Sequence, residues 1–204
     1  MVRVKICGIR TWEEAKMAVD AGAHALGFVF ASSPRRINPE AAREIILRLP
    51  PFVARVGVFV NQPRYEVQEI ASFCNLQALQ FHGDEDPAYC QRWPGYQVIK
   101  ALRVGADFAP GAAGSYPVDA VLLDAYVAGK YGGTGESFNW DAAVAVRERV
   151  DCLILAGGLN PDNVRLAAEK VRPYAVDVSS GVEEGGAKCR AKVERFMQQV
   201  LGAC

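Results

Sequence analysis

Histidine, net charge and long apolar runs are all scarce in this sequence of 204 residues. Histidine occurs only at His24 and His82, and none of the six cysteines forms a C-x-x-C pair, so the ligand spacing of a structural zinc site is missing. Basic and acidic residues number 23 each, which leaves no general electrostatic grip on nucleic acid or anionic lipid. No apolar run reaches the roughly 18 residues of a membrane span. The N-terminus enters a strand pattern directly, with no secretory leader, so a cytoplasmic location is expected and a disulfide framework is not. What is present is a hydrophobic half of the chain and 23% charge, enough to build a core and too much for a disordered segment.

Short β-rich runs alternate with amphipathic stretches. The runs are Val2–Cys7, Ala25–Phe30, Val53–Val60, Ala78–His82, Gln97–Leu102, Ala120–Asp124, Cys152–Ala156 and Ala175–Ser179. Helical periodicity fills 12–22, 39–49, 63–74, 86–92, 140–149, 161–171 and 188–201, while 104–117 holds at best a short, poor helix. Eight strands separated by helices predict a parallel sheet, and eight is the number that closes a barrel. An open doubly wound sheet would want a glycine-rich fingerprint after the first strand, and Cys7-Gly8-Ile9-Arg10 supplies one glycine. The expected fold is therefore a (β/α)8 TIM barrel. No linker divides the chain, so one domain over 1–204 is expected.

Strand parity then sorts side chains between the barrel interior and the helix layer. It sends Lys5, Cys7, Gln80, His82, Lys100, Asp124, Asp177 and Ser179 inward. A buried polar group without a partner costs roughly 2–7 kcal/mol, so this set needs internal partners or a ligand. Lys5 and Asp177 fall on strands that become neighbours at closure and are expected to pair. Cys7, His82, Asp124 and Ser179 lie nearest the C-terminal strand ends, where barrel enzymes keep their chemistry.

Two glycine-bearing turns follow the last strands, Gly157-Gly158 and Ser179-Ser180-Gly181. Successive amides there can cradle an anion, and loops seven and eight are where barrels commonly bind phosphate. Asn160-Pro161 reads as a helix cap and first position. Cys7 differs from the other cysteines because its position aims it into the mouth. Asp124 ends an apolar strand and is either a partner for an interior lysine or a catalytic acid or base. Together the two could move a proton between substrate atoms. Arg35 and Arg36 are either solvated or suited to a carboxylate. Gly132-Gly133-Thr134-Gly135 suits a lid, and His82 could be a core, ligand or catalytic histidine.

The motifs Lys5-Ile6-Cys7-Gly8, Gly27-Phe28-Val29-Phe30, Ser33-Pro34-Arg35, Gln80-Phe81-His82-Gly83, Leu122-Leu123-Asp124, Ala156-Gly157-Gly158-Leu159 and Val176-Asp177-Val178-Ser179-Ser180-Gly181-Val182-Glu183 occur in the order of the phosphoribosylanthranilate isomerases. The chain resembles that family from residue 2 to about residue 200. The resemblance implies an Amadori rearrangement of N-(5-phosphoribosyl)anthranilate to 1-(2-carboxyphenylamino)-1-deoxyribulose 5-phosphate, in tryptophan biosynthesis and without a cofactor or metal. By matching position, Asp124 would be the general acid and Cys7 the general base. Arg35 would hold the anthranilate carboxylate, His82 would join the substrate-binding set, and Gly157, Gly158, Ser179, Ser180 and Gly181 would hold the phosphate. The only partner implied is the phosphorylated aminosugar, and a monomer is expected over a homodimer.

Phe81 stands where relatives usually have leucine, on the helix-facing side. Gly185-Gly186-Ala187-Lys188-Cys189 departs from the usual Pro-Gly-x-Lys-Asp pattern, which weakens any phosphate contact from that turn. The rival readings are a phosphate-binding barrel without turnover and the histidine-pathway isomerase. The latter resembles a two-aspartate site where this chain has Cys7.

Overall fold

The computed structural model describes residues 1–105, 108–125 and 140–202. Eight parallel strands form a closed barrel in sequence order: β1 (Arg3–Cys7), β2 (Ala25–Val29), β3 (Ala54–Phe59), β4 (Ala78–Phe81), β5 (Gln97–Val104), β6 (Ala120–Ala125), β7 (Leu153–Leu155) and β8 (Ala175–Val178). Closure sets β8 against β1 with Lys5 in register with Asp177. The expected barrel is present, and so is the expected ion pair, at 2.9 Å.

Helices α1 (Trp12–Asp20), α2 (Pro39–Ile46), α3 (Arg64–Phe73), α4 (Pro87–Cys90), α5 (Trp140–Arg147), α6 (Val164–Val171) and α7 (Arg190–Leu201) lie between and after the strands. Local chemistry sets several starts. Thr11 caps α1 by accepting from the Glu14 amide, while Glu14 reaches back to the Arg10 amide. Asn38 and Asp86 cap α2 and α4, each followed by proline at the first helical position. The poor segment after β5 folds as a 3-10 helix over Pro110–Ser115.

Three expectations change. Asn160-Pro161 does not open α6, which begins at Val164; Asn160 instead accepts from the Asp162 amide and its own amide donates to Asn163, using the pair up in a turn. The stretch from 188 is not wholly helical. Two short strands, β9 (Glu183–Glu184) and β10 (Ala187–Lys188), pair antiparallel around Gly185 and Gly186, whose φ values of 57° and 81° fit a tight hairpin turn. Finally, Lys100 does not enter the barrel interior. On β5 the inward places go to Ile99 and Ala101, which pack with Val56, Ala78, Leu122 and Ile154. Lys100 therefore faces the helix layer, where its Nζ donates to Glu85 at 2.7 Å and to the Gly83 carbonyl at 2.8 Å. The buried charge found its partner outside the barrel rather than in it.

The larger apolar core lies between strands and helices. Phe81 belongs to it as expected, with ring centroids 5.1 Å from Tyr89 and 5.2 Å from Trp93. The interior core of small and branched residues fills the barrel below the level of Cys7 and Asp124. No helix among the described residues is long and apolar enough to cross a membrane.

Candidate active site

Cys7 is the last residue of β1 and is 8% exposed, packed with Val29, Ala31 and Val58 at the top of the interior. Its neighbour on β2 is Gly27. A Cβ added at Gly27 would stand 2.7 Å from the Cys7 Sγ and 3.0 Å from the Lys5 Cε, so the missing side chain is what makes room for both. Burial pushes the Cys7 thiol above its ordinary value. The Lys5 and Lys188 ammonium groups oppose that rise, and the Asp177 carboxylate adds to it. Burial disfavours the charged form of Lys5, but Asp177 and Cys7 together hold its ammonium above its ordinary value.

Asp124 stands on β6, three strands from β1 by one route round the barrel and five by the other, and so across the mouth. It follows inward-facing Leu122 by two residues, which gives it the same inward parity. Its Oδ2 lies 3.0 Å from the Nε2 of His82, and the His82 Nδ1 lies 3.0 Å from the Gln80 Nε2. An amide nitrogen can only donate, so Nδ1 accepts and Nε2–H donates to the carboxylate. That chain engages Oδ2 and does not use Oδ1. The side chains of His82 and Asp124 are 25% and 35% exposed, far wetter than Cys7.

Arg35 and Arg36 part company in the structure. Arg35 bends over Gly8 into the mouth, and a Cβ on Gly8 would meet its Cδ at 2.7 Å. Its Nε and Nη2 both donate to Glu183 at 2.8 Å. Arg36 is exposed and lines a separate surface cleft with Phe30, Gln62, Glu66 and Glu69. Glu183 also accepts from Lys188 at 2.7 Å. Burial works against its ionisation, yet these two cations hold its carboxyl at about 2.

On the β7 and β8 side, Gly157 and Gly158 take φ of 83° and 64°, which turns their backbone out of the strand path. A Cβ on Gly181 would overlap the Leu159 carbonyl oxygen at 1.9 Å, so the two turns touch backbone to backbone. Ser179 Oγ donates to the Cys7 carbonyl at 3.0 Å, tying this corner to the thiol strand. Gly132, Gly133, Thr134 and Gly135 lie outside the described residues.

The structure thus gathers Cys7, Asp124, His82, Arg35 and both glycine turns at one barrel end. Sequence reasoning missed Glu183 and Lys188 as a linked pair. The signal was available: a carboxylate and a lysine flanking Gly185-Gly186 become cross-strand neighbours once those glycines make a hairpin. Among the described residues, no three metal-ligating side chains cluster.

The sequence profile of the N-(5'-phosphoribosyl)anthranilate isomerase family matches residues 4–199. An N-(5'-phosphoribosyl)anthranilate isomerase of Moorella thermoacetica is 56% identical over 204 residues, spanning 100% of this chain and 91% of that protein. The crystal structure of phosphoribosyl anthranilate isomerase from Thermotoga maritima superposes with a TM-score of 0.91 at 45% identity, over 99% of this chain and 100% of that one. A phosphoribosyl anthranilate isomerase in complex with reduced 1-(o-carboxyphenylamino)-1-deoxyribulose 5-phosphate superposes with a TM-score of 0.89 at 43% identity, over the same shares.

Proposed function

This chain belongs to the N-(5'-phosphoribosyl)anthranilate isomerase family, and from that premise we propose how its own residues carry the reaction. The activity is the isomerisation of N-(5'-phosphoribosyl)anthranilate in tryptophan biosynthesis by general acid–base catalysis. Asp124, protonated on Oδ1, gives its proton to the ribose ring oxygen, and the C–O bond breaks to open the sugar as a Schiff base. The Cys7 thiolate then removes the proton from the adjacent sugar carbon. The electron pair moves to the nitrogen and leaves an enolamine, which tautomerises to the aminoketose. His82 holds Oδ2 throughout, so the catalytic proton stays on the oxygen that faces the substrate.

Arg35 takes the anthranilate carboxylate through the edge that Glu183 leaves open. The amides of Gly157, Gly158, Ser180 and Gly181, with Ser179, take the phosphate. The substrate is thereby anchored by its two anionic ends with the reacting carbons between thiol and carboxyl, and positioning of this kind supplies a large share of the rate. The observation that carries the assignment is that Cys7 and Asp124 enter one cup from strands on its two sides. The same reading takes the protein as a cytoplasmic monomer built as one domain.

Turnover is followed by the loss of fluorescence of freshly made substrate. Cys7→Ala and Asp124→Asn are each expected to lower kcat by about 10²–10⁴, while the reduced product analogue still binds in calorimetry. Near-normal turnover in purified Cys7→Ala removes Cys7 from the mechanism. A barrel that merely bound phosphate ligands would tolerate both changes.

A further inference from the structure

Lys5 is an interior cation that the acid–base scheme leaves without a task. It is 3% exposed, and its ammonium lies 2.9 Å from Asp177. A buried ion pair of this kind is weak evidence for stability, because well-packed apolar residues of similar volume are often as good or better in its place. The pair also leaves part of the ammonium unspent. Lys5 carries three N–H donors, and its stem lies beside the Cys7 sulfur over Gly27, two residues away on the same face of β1. Both side chains crowd the bare backbone of Gly27, so stem and sulfur are held together by packing.

The charged groups facing Cys7 come from four directions: Lys5 on its own strand, Asp177 on β8, Lys188 on β10, and Arg35 on the loop after β2. Lys188 and Arg35 are both bonded to Glu183, whose carboxylate lies between them. Two cations share the Cys7 strand and parity, and Lys5 is the nearer; Arg3, at the far end of β1, is exposed and stacks over the Tyr174 ring. We propose that Lys5 is a positioning residue for the reaction, its ammonium held by Asp177 against the Cys7 sulfur as the counter-ion of the thiolate base. No proton passes through Lys5. It stays charged while the thiolate takes up the substrate proton, and Asp177 keeps it charged when the sulfur is neutral. The inference rests on the assignment of Cys7 as the base.

The test reads the sulfur directly. Alkylation of intact protein by iodoacetamide is followed against pH, and the modified Cys7 peptide is quantified by mass spectrometry. Only the thiolate reacts, so the midpoint reports Cys7 ionisation. In Lys5→Met the midpoint is expected to rise by about one unit or more. In Asp177→Asn, which keeps the cation and removes the anion, it is expected to fall. Mere loosening of the site would instead bring both variants down toward the ordinary thiol value of about 8.5.

Lys5→Met strands Asp177 and can impair folding, so the double variant Lys5→Met/Asp177→Leu removes both charges together. Its midpoint is also expected above wild type, because the lysine lies beside the sulfur on the same strand and face while the aspartate stands on the neighbouring strand β8. A midpoint at or below wild type in whichever of these two variants folds overturns the proposal. The rising limb of kcat/KM against pH must move with the midpoint. If Cys7→Ala retains turnover, the inference falls with the assignment beneath it, even where the midpoints shift. If Cys7→Ala is inactive and the midpoints stay still, the base assignment survives and the role of Lys5 does not.

Discussion

The two sides of the barrel mouth handle titratable groups in opposite ways. On the β1–β8 side, Cys7, Lys5 and Asp177 are packed away from water, and the protonation of Cys7 and Lys5 is governed by burial and by their charged neighbours. On the β4–β6 side, His82 and Asp124 are a quarter to a third exposed, and Asp124 is held by a hydrogen-bond chain running back to Gln80. A proton abstractor gains strength when its charged form is hard to form but well supported once formed. A proton donor needs a fixed direction and a free oxygen more than a dry setting. Within a single fold, one strand end is tuned by desolvation and its counterpart by orientation.

The dry side can be broken most sharply at the sulfur itself. Cys7→Ser keeps the size and the Lys5 contact but offers a far weaker base, and kcat is expected to drop by about 10² or more. Because burial raises the Cys7 thiol, wild-type kcat/KM is expected to keep climbing with pH beyond the ordinary thiol value, and a flat profile across that range contradicts the assignment.

Lys100 sharpens the contrast from outside the barrel, since its pairing with Glu85 is as buried as that of Lys5 with Asp177 yet faces no substrate. Lys100→Met is expected to destabilise the fold by about 3 kcal/mol with kcat unchanged, and adding Glu85→Leu not to recover it, because Glu85 also accepts from the Asn61 and Gly83 amides. Urea unfolding and turnover measured side by side test this, and a fall in kcat without a fall in stability counts against a structural role.

On the wet side, His82→Ala removes one hydrogen bond to a charged group and is expected to lower kcat about tenfold with KM kept. A rise in KM alone would instead make His82 a substrate contact. The smallest effect concerns Glu183. Its folded value of about 2 lies below its ordinary 4.5, so its contribution to stability is complete above the ordinary value and is lost as pH falls through it toward about 2. Melting temperatures followed over that acid range should fall more steeply in wild type than in Glu183→Gln.

Much of this was legible in the chain. Strand count, the pairing of Lys5 with Asp177, the inward aim of Cys7 and Asp124, and the helix-side place of Phe81 follow from period and parity. Lys100 was misplaced because parity alone cannot say which face of β5 is inward when Ile99 and Ala101 compete for the narrow interior. The β9–β10 hairpin was hidden because a two-residue strand carries almost no periodic signal, although its Gly-Gly turn stood in plain view. Asn160-Pro161 misled because the same residues serve a helix start and a tight turn equally well.

By itself the sequence determined which residues can share a face, since side-chain alternation along a strand is local stereochemistry. Only the tertiary structure decided how the other charges meet. It set the Lys5 stem beside the Cys7 sulfur over Gly27, gave Arg35 rather than Arg36 to the mouth, and joined Glu183 to both Arg35 and Lys188. Those partnerships depend on barrel closure and on bare glycine backbone, and a charge in the interior keeps its proton state only through neighbours that arrive from distant parts of the chain.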